Sequence, residues 1–308
     1  MNSFPQVLLL GNGINLAYGG VSWKKLMGLI KTRDDLSVDD LKAPMPMQAI
    51  LVTNNNLKDA MKQHSKSFFG EVKTKEQAEV LNQLLNMGFD DILTTNYSYE
   101  LEEAALGSKM VSNEKLKKIN ERTCEKREDR YFLHTYNKVP TNNGDVRVWH
   151  IHGEARKPDS MMLGHYWYGN MLGRIQSELQ ERKNKYAYRQ EHNLEIEYDS
   201  WVDSFILGDI YIIGFGFDLT ELDLWWLLNR KARERADKGK VYFYEPKSEE
   251  KFEKQALLKL MGVEIRDLGF EEDQLKANND YKPFYREAIK DIKEMVVCKS
   301  TLKDCGKI

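Results

Sequence analysis

The sequence predicts an α/β protein with a mostly parallel sheet covered by helices on both faces. Three observations predict it. Residues 7–10 are a compact apolar run, the mark of a strand buried on both faces, and residues 91–95 (DILTT) and 209–213 (DIYII) read as further buried strands. Segments with apolar residues at helical spacing separate these runs. Each run breaks into a turn rich in glycine or asparagine, which is where open α/β sheets bind ligands.

Composition narrows the class. A chain of 308 residues is long enough to bury a substantial core without help from metals or disulfides. With 46 basic and 48 acidic residues the net charge is −2, so a nucleic-acid footprint is not expected and the ligand should be small. Three cysteines, Cys124, Cys298 and Cys305, form no C-x-x-C pair, which excludes a zinc ribbon and argues against a disulfide framework. The opening residues lack the basic and long apolar regions of a signal peptide, and no apolar stretch has the ~20 residues of a membrane span. A cytoplasmic protein is expected.

The elements follow in order. Residues 7–10 form the first strand, and helices are predicted over 22–31 and 75–87, where Trp23, Leu26, Met27 and Ile30, then Ala78, Leu81, Leu84 and Leu85, recur at helical spacing. A strand at 91–95 leads into a helix over 97–106. Charged residues 108–130 read as an inserted element. Residues 131–137 and 146–152 flank an Asn-Gly turn signal and read as a hairpin whose second strand ends at His152. A helix over 168–191, a strand at 209–213, a helix over 219–235, a strand at 240–245 and two closing helices complete the domain. Its expected limits are 1–298, with an insertion over 107–145 and a helical segment over 168–205, followed by a loose tail over 299–308.

Four post-strand turns hold the residues of chemical interest. Gly11 and Gly13, with Asn12 and Asn15, form a glycine turn whose backbone N–H groups suit a pyrophosphate, although a tight turn alone would also use them. A dehydrogenase fingerprint would need glycine at position 16, which is Leu16. Thr95 and Asn96 follow the second strand. The Asn96 carboxamide suits ribose hydroxyls or a positioned water, and it equally suits a helix N-cap. His150 and His152 fall on one face of their strand, and His152, before Gly153, is the better exposed candidate base; a histidine packed in the core is the other reading. A metal pair with Glu154 or His165 lacks clear further ligands, so no metal is expected. The last turn carries Gly214, Gly216 and Asp218. Asp218 and Glu221 stand in N-cap and N3 relation with Asp223 nearby, which predicts helix stabilisation, and their charge puts this turn on the ribose or adenine side.

Taken together, residues 10–15, 94–97, 149–153, 163–166, 213–218 and 223–228 resemble the sirtuin-like NAD-hydrolase family of bacterial antiviral defence proteins. The resemblance implies a Rossmann-like NAD-binding domain. It implies that Gly11, Gly13 and Asn15 belong to the NAD loop, that Asn96 sits beside the nicotinamide ribose, that His152 is the catalytic histidine, and that Gly214 and Gly216 form a later nucleotide-binding turn. Ser98 stands where sirtuins carry an aspartate, and their four-cysteine zinc module is missing, so protein deacylation is not expected. The implied activity is hydrolysis of NAD, as substrate, to nicotinamide and ADP-ribose, with no metal or other cofactor. Gating by homo-oligomerisation or a separate activating protein is expected, without membrane or direct nucleic-acid binding. A non-catalytic NAD or ADP-ribose sensor and a sirtuin-type deacylase or ADP-ribosyltransferase are the alternatives.

Overall fold

The chain builds its sheet outward from β1 (Gln6–Leu10). Val7 and Leu9 face one side, Leu8 and Leu10 the other, and all four are buried, so β1 requires partners on both edges and helices over both faces. In the computed structural model, which describes residues 4–106, 133–192, 200–234 and 238–305, it has both. β1 pairs in parallel with β2 (Asp91–Thr94), and β2 with β4 (Gly144–His150), which carries the antiparallel edge strand β3 (Asn137–Thr141). On its other edge β1 pairs in parallel with β5 (Asp209–Ile213), followed by β6 (Val241–Tyr244) and β7 (Val263–Arg266). The order β3-β4-β2-β1-β5-β6-β7 is doubly wound, as expected for a Rossmann-like fold, and its direction of growth reverses between β1 and β5.

Three groups of helices use this sheet, one on each face and one over its carboxyl end. After β1 come α1 (Gly13–Ala17), α2 (Trp23–Ile30), α3 (Met45–Val52), α4 (Leu57–His64) and α5 (Lys75–Leu85), and β2 is followed by α6 (Glu100–Leu106). β4 leads to α7 (His165–Glu191) and α8 (Trp201–Leu207), β5 to α9 (Leu222–Arg233) and β6 to α10 (Phe252–Leu260), while α11 (Glu272–Asn278) and α12 (Lys282–Cys305) close the chain. Helices α7, α8 and α9 bury Met171, Phe205 and Leu227 against the face of Val7 and Leu9. Helices α5, α6 and α12 bury Leu81, Leu101 and Ile292 against the face of Leu8 and Leu10. A third cluster joins α2, α3 and α4 to Tyr99, Ala155 and Leu163, in the loops leaving β2 and β4, and so caps the carboxyl ends of those strands.

Several local expectations are corrected. The hairpin is shifted, because Asn142 and Asn143 are themselves its turn and β3 starts at Asn137; Pro140 is tolerated on this edge strand, whose outer N–H positions need no partner. β4 ends at His150, and the next two residues already turn. The half-polar Val263–Arg266 adds an edge strand, and three helices rather than two follow β6. The last helix runs to Cys305, through most of the expected tail. The inserted element read at 108–130 lies outside the described residues.

Candidate active site

The two glycine turns meet at the switch point. The Gly11 N–H donates to Ile213 O at 3.0 Å and the Gly13 N–H to Gly214 O at 2.7 Å. A Cβ on Gly13 would lie 2.2 Å from the Tyr285 hydroxyl and 2.9 Å from Gly214 Cα, and one on Gly11 would lie 2.4 Å from Gly214 O. Glycine is required here for turn-to-turn packing, and these two N–H groups are taken by protein carbonyls rather than presented to a pyrophosphate. Asn15 also turns inward, where Gln77 Nε2 donates to its Oδ1 at 3.1 Å. Gly11 and Asn15 therefore support the turn from behind.

In front of the turns lies a cleft of about 450 Å³, within the range of small-ligand sites. Asn12, Gly13, Thr95, Asn96, His152, Gly214, Gly216 and Asp218 all line it. Trp23, Leu26, Met45, Pro46 and Phe68, from the helical cap and the segment after α4, roof it with apolar surface. The Asn12 carboxamide donates to Val21 O at 2.8 Å and ties the first turn to this roof. Asp218 caps no helix; its Oδ1 accepts from the Thr220 N–H and hydroxyl, and α9 starts only after Glu221.

His152 owes its position to the turn after β4. Gly153 has φ +89°, and a Cβ there would lie 2.2 Å from Ser160 O, so only glycine allows the chain to fold back. Within this turn His152 reaches the α9 side, where its Nε2–H donates to Asp223 Oδ2 at 3.0 Å. Its Nδ1 lies 3.8 Å from Glu221 Oε2, beyond hydrogen-bond distance, and Glu221 in turn accepts the Tyr168 hydroxyl at 2.9 Å. Both His152 and Glu221 line the cleft, and Asp223 is fully buried behind them. Burial alone would lower the His152 pKa, but the Asp223 carboxylate outweighs it and raises it above the ordinary imidazole value. Burial raises Glu221. Two carboxylates beside one imidazole make this end of the cleft anionic. With Nε2–H directed at Asp223, neutral His152 carries its basic lone pair on Nδ1.

His150 does not share that face. Its Nε2 donates to Glu102 Oε1 at 2.9 Å and its Nδ1 to the Asn96 carbonyl at 2.8 Å, toward α6. Two acceptors require both ring nitrogens to carry protons. Burial opposes that charge, yet Glu102 pushes the His150 pKa up to about 9, and the imidazolium in turn holds Glu102 below the usual carboxylate range against its own burial. This pair fixes the backbone of Asn96, whose N–H also donates to Thr94 Oγ1 at 3.1 Å. The Asn96 carboxamide lines the cleft, and α6 begins four residues after it, so Asn96 is not that helix's cap.

The H-x-H metal pair accordingly does not form, and Glu154 accepts the Tyr99 hydroxyl at 3.0 Å instead. Among the described residues, His152, Glu221 and Asp223 are the group whose donor atoms, within 4.8 Å of one another, could hold a cation. Sequence reasoning treated Glu221 and Asp223 as helix-end charges and missed both. The available signal was Asp223 on the same α9 face as the buried Leu224, Leu227 and Leu228, where a carboxylate needs a partner.

Among the described residues no helix is long and apolar enough to cross a membrane. No curated protein matches the chain. Residues 25–244, well over half of its length, match the model of the family described as Bacteriophage abortive infection AbiH. The match takes in Asn96, His152, the second glycine turn, Glu221 and Asp223, and it gives the antiviral-defence resemblance a family. The chain belongs to the bacteriophage abortive infection AbiH family.

Proposed function

We propose that this chain hydrolyses the nicotinamide–ribose bond of NAD to nicotinamide and ADP-ribose, and that NAD depletion is its contribution to phage abortive infection. The observation that carries the reading is the His152 end of the cleft. There an imidazole oriented by Asp223 stands next to Glu221, with Asn96 lining the same roofed, anionic pocket at the switch point of a doubly wound sheet. Such a pocket suits a leaving group that is cationic while bonded and neutral once released.

Each residue has a chemical task. Neutral His152 accepts through Nδ1 the proton of a water that attacks the anomeric carbon, as the electron pair of the C–N bond passes to the nicotinamide ring nitrogen. Asp223 keeps Nε2 protonated and stabilises the imidazolium that results. Glu221 faces the positive charge that develops on the ribose, in a setting where fixed charges act more strongly than in water. Asn96 orients the ribose or the attacking water, with its backbone held by His150. The glycine turns give the dinucleotide a close approach to the backbone, and the chemistry requires no metal or redox group. Unchecked hydrolysis would be toxic, so the activity is gated by self-assembly or an activating protein in the cytoplasm.

The test is to incubate the purified protein with NAD, alone and with lysate from phage-infected cells, and to resolve the products chromatographically. Equimolar nicotinamide and ADP-ribose without any acylated peptide is the expected result. Turnover that appears only with an acyl-lysine substrate overturns hydrolysis in favour of deacylation.

A further inference from the structure

The far end of the cleft, under β6, is built differently from the His152 end. Glu245 directly follows β6 and lines the cleft, with its side chain 5 % exposed. Its Oε1 accepts Lys251 Nζ at 3.0 Å and also Lys254 Nζ, which donates onward to Gly216 O at 2.8 Å in the second glycine turn. Its Oε2 is buried and has no hydrogen-bond partner. Among the described residues lining the cleft, the one lysine or arginine is Lys251, and it is shared between Glu245 and Glu272 Oε2 at 2.8 Å.

A buried carboxylate oxygen with no donor costs free energy unless a ligand supplies one. The ligand group must therefore be a donor such as a hydroxyl, and a phosphate there would meet negative charge. Along the sheet Glu245 and His152 stand at opposite sides of the switch point, four strands apart at ~4.8 Å each. If His152 takes the nicotinamide ribose, a dinucleotide lying across the switch point extends its second ribose toward Glu245. Dinucleotide folds commonly place an acidic residue after the second strand for this purpose; here that strand ends in Thr94-Thr95-Asn96, and the acid follows β6.

We propose that Glu245 Oε2 accepts the 2′-hydroxyl of the adenosine ribose and makes the site selective for NAD over NADP. This rests on the dinucleotide reading of the cleft. It adds a specificity residue that the catalytic residues do not imply. Because Lys251 and Lys254 both pair with Glu245, neutralising that one carboxylate would remove a repulsion and leave each ammonium with one partner fewer, Glu272 for Lys251 and the Gly216 carbonyl for Lys254, beside an incoming 2′-phosphate.

The experiment is calorimetric titration of the full chain with two probes that are not turned over, ADP-ribose and ADP-ribose 2′-phosphate. The wild-type protein should prefer ADP-ribose by on the order of 100-fold, since a like charge set against a buried carboxylate is strongly excluded. Glu245→Gln, with thermal melting checked in parallel, should lose or reverse that preference. Should this variant fail to fold, Lys251→Gln keeps the carboxylate and removes a neighbouring cation, so its preference for ADP-ribose should widen; an unchanged or narrower preference overturns the proposal. Equal wild-type affinity for the two probes overturns it too and leaves the dinucleotide reading standing. Binding of neither probe overturns both.

Discussion

His150 and His152 are two residues apart, and the structure gives them opposite environments. On the α6 side His150 has both ring nitrogens engaged, by Glu102 and the Asn96 carbonyl. On the α9 side His152 has one nitrogen engaged by Asp223 and the other near Glu221 at the cleft wall. Both are buried and both have raised pKa values, so neither burial nor basicity separates them. What separates them is a free acceptor site on one ring. A histidine with two protein acceptors holds structure, and one with a single acceptor can still exchange a proton with a ligand.

The largest expected effect follows from that difference. His152→Ala should lower NAD cleavage by at least ~10²-fold in steady-state assays, with the fold retained by circular dichroism. Asn96→Ala should behave similarly. Asp223→Asn should cost roughly 10²-fold or more by favouring the wrong tautomer. It should also shift the pH profile. Since Asp223 raises the His152 pKa, the wild-type rate should climb with pH on the alkaline side of the ordinary imidazole value, and the variant's limb should move toward lower pH.

The other histidine should answer in stability. His150→Ala leaves Glu102 buried without its cation and should lower the unfolding free energy by about 3 kcal/mol in urea melts. The sign of its pH dependence is fixed by a pKa raised to about 9. Stabilisation from the pair is complete below the unfolded value of about 6.5 and is lost as pH rises through the folded one. Stability should therefore decline across that window, and Glu102→Gln should flatten the decline. A pH-independent wild-type melt would contradict the imidazolium assignment. The smallest effect concerns metal. Chelators should leave the rate unchanged within error; loss of activity on chelation, restored by a divalent ion, would recast His152, Glu221 and Asp223 as ligands.

How much was legible varied with burial. β1, β2, β5 and β6 are buried along their whole length and carry adjacent apolar residues, whereas in β7 the apolar Val263 and Ile265 alternate with Glu264 and Arg266, only Val263 is buried, and the segment gives no comparable signal. The four turns were legible because glycine, asparagine and histidine recur directly after buried strands, at the edge where open α/β sheets bind ligands. What failed was direction. Strand alternation places His150 and His152 on one face, but the strand stops at His150 and the turn through Ile151 and His152 carries the second imidazole to Asp223 on α9. Likewise the capping pattern at Asp218 and Glu221 accounted for the charges so completely that it hid Asp223, whose burial is a tertiary fact. Glu245 read simply as a strand end, because an unpartnered carboxylate oxygen is visible only once Lys251 and Lys254 are in place.

The most direct test of the central claim is made in cells challenged with phage. NAD and nicotinamide should be measured over the infection cycle in cells producing the wild-type chain, the His152→Ala chain or the His150→Ala chain, with equal protein levels verified. The account predicts that NAD falls and nicotinamide rises as the wild-type chain blocks phage, that His152→Ala abolishes both the depletion and the block, and that folded His150→Ala retains part of each. Protection by the wild-type chain with NAD unchanged, or full depletion with His152→Ala, would contradict it.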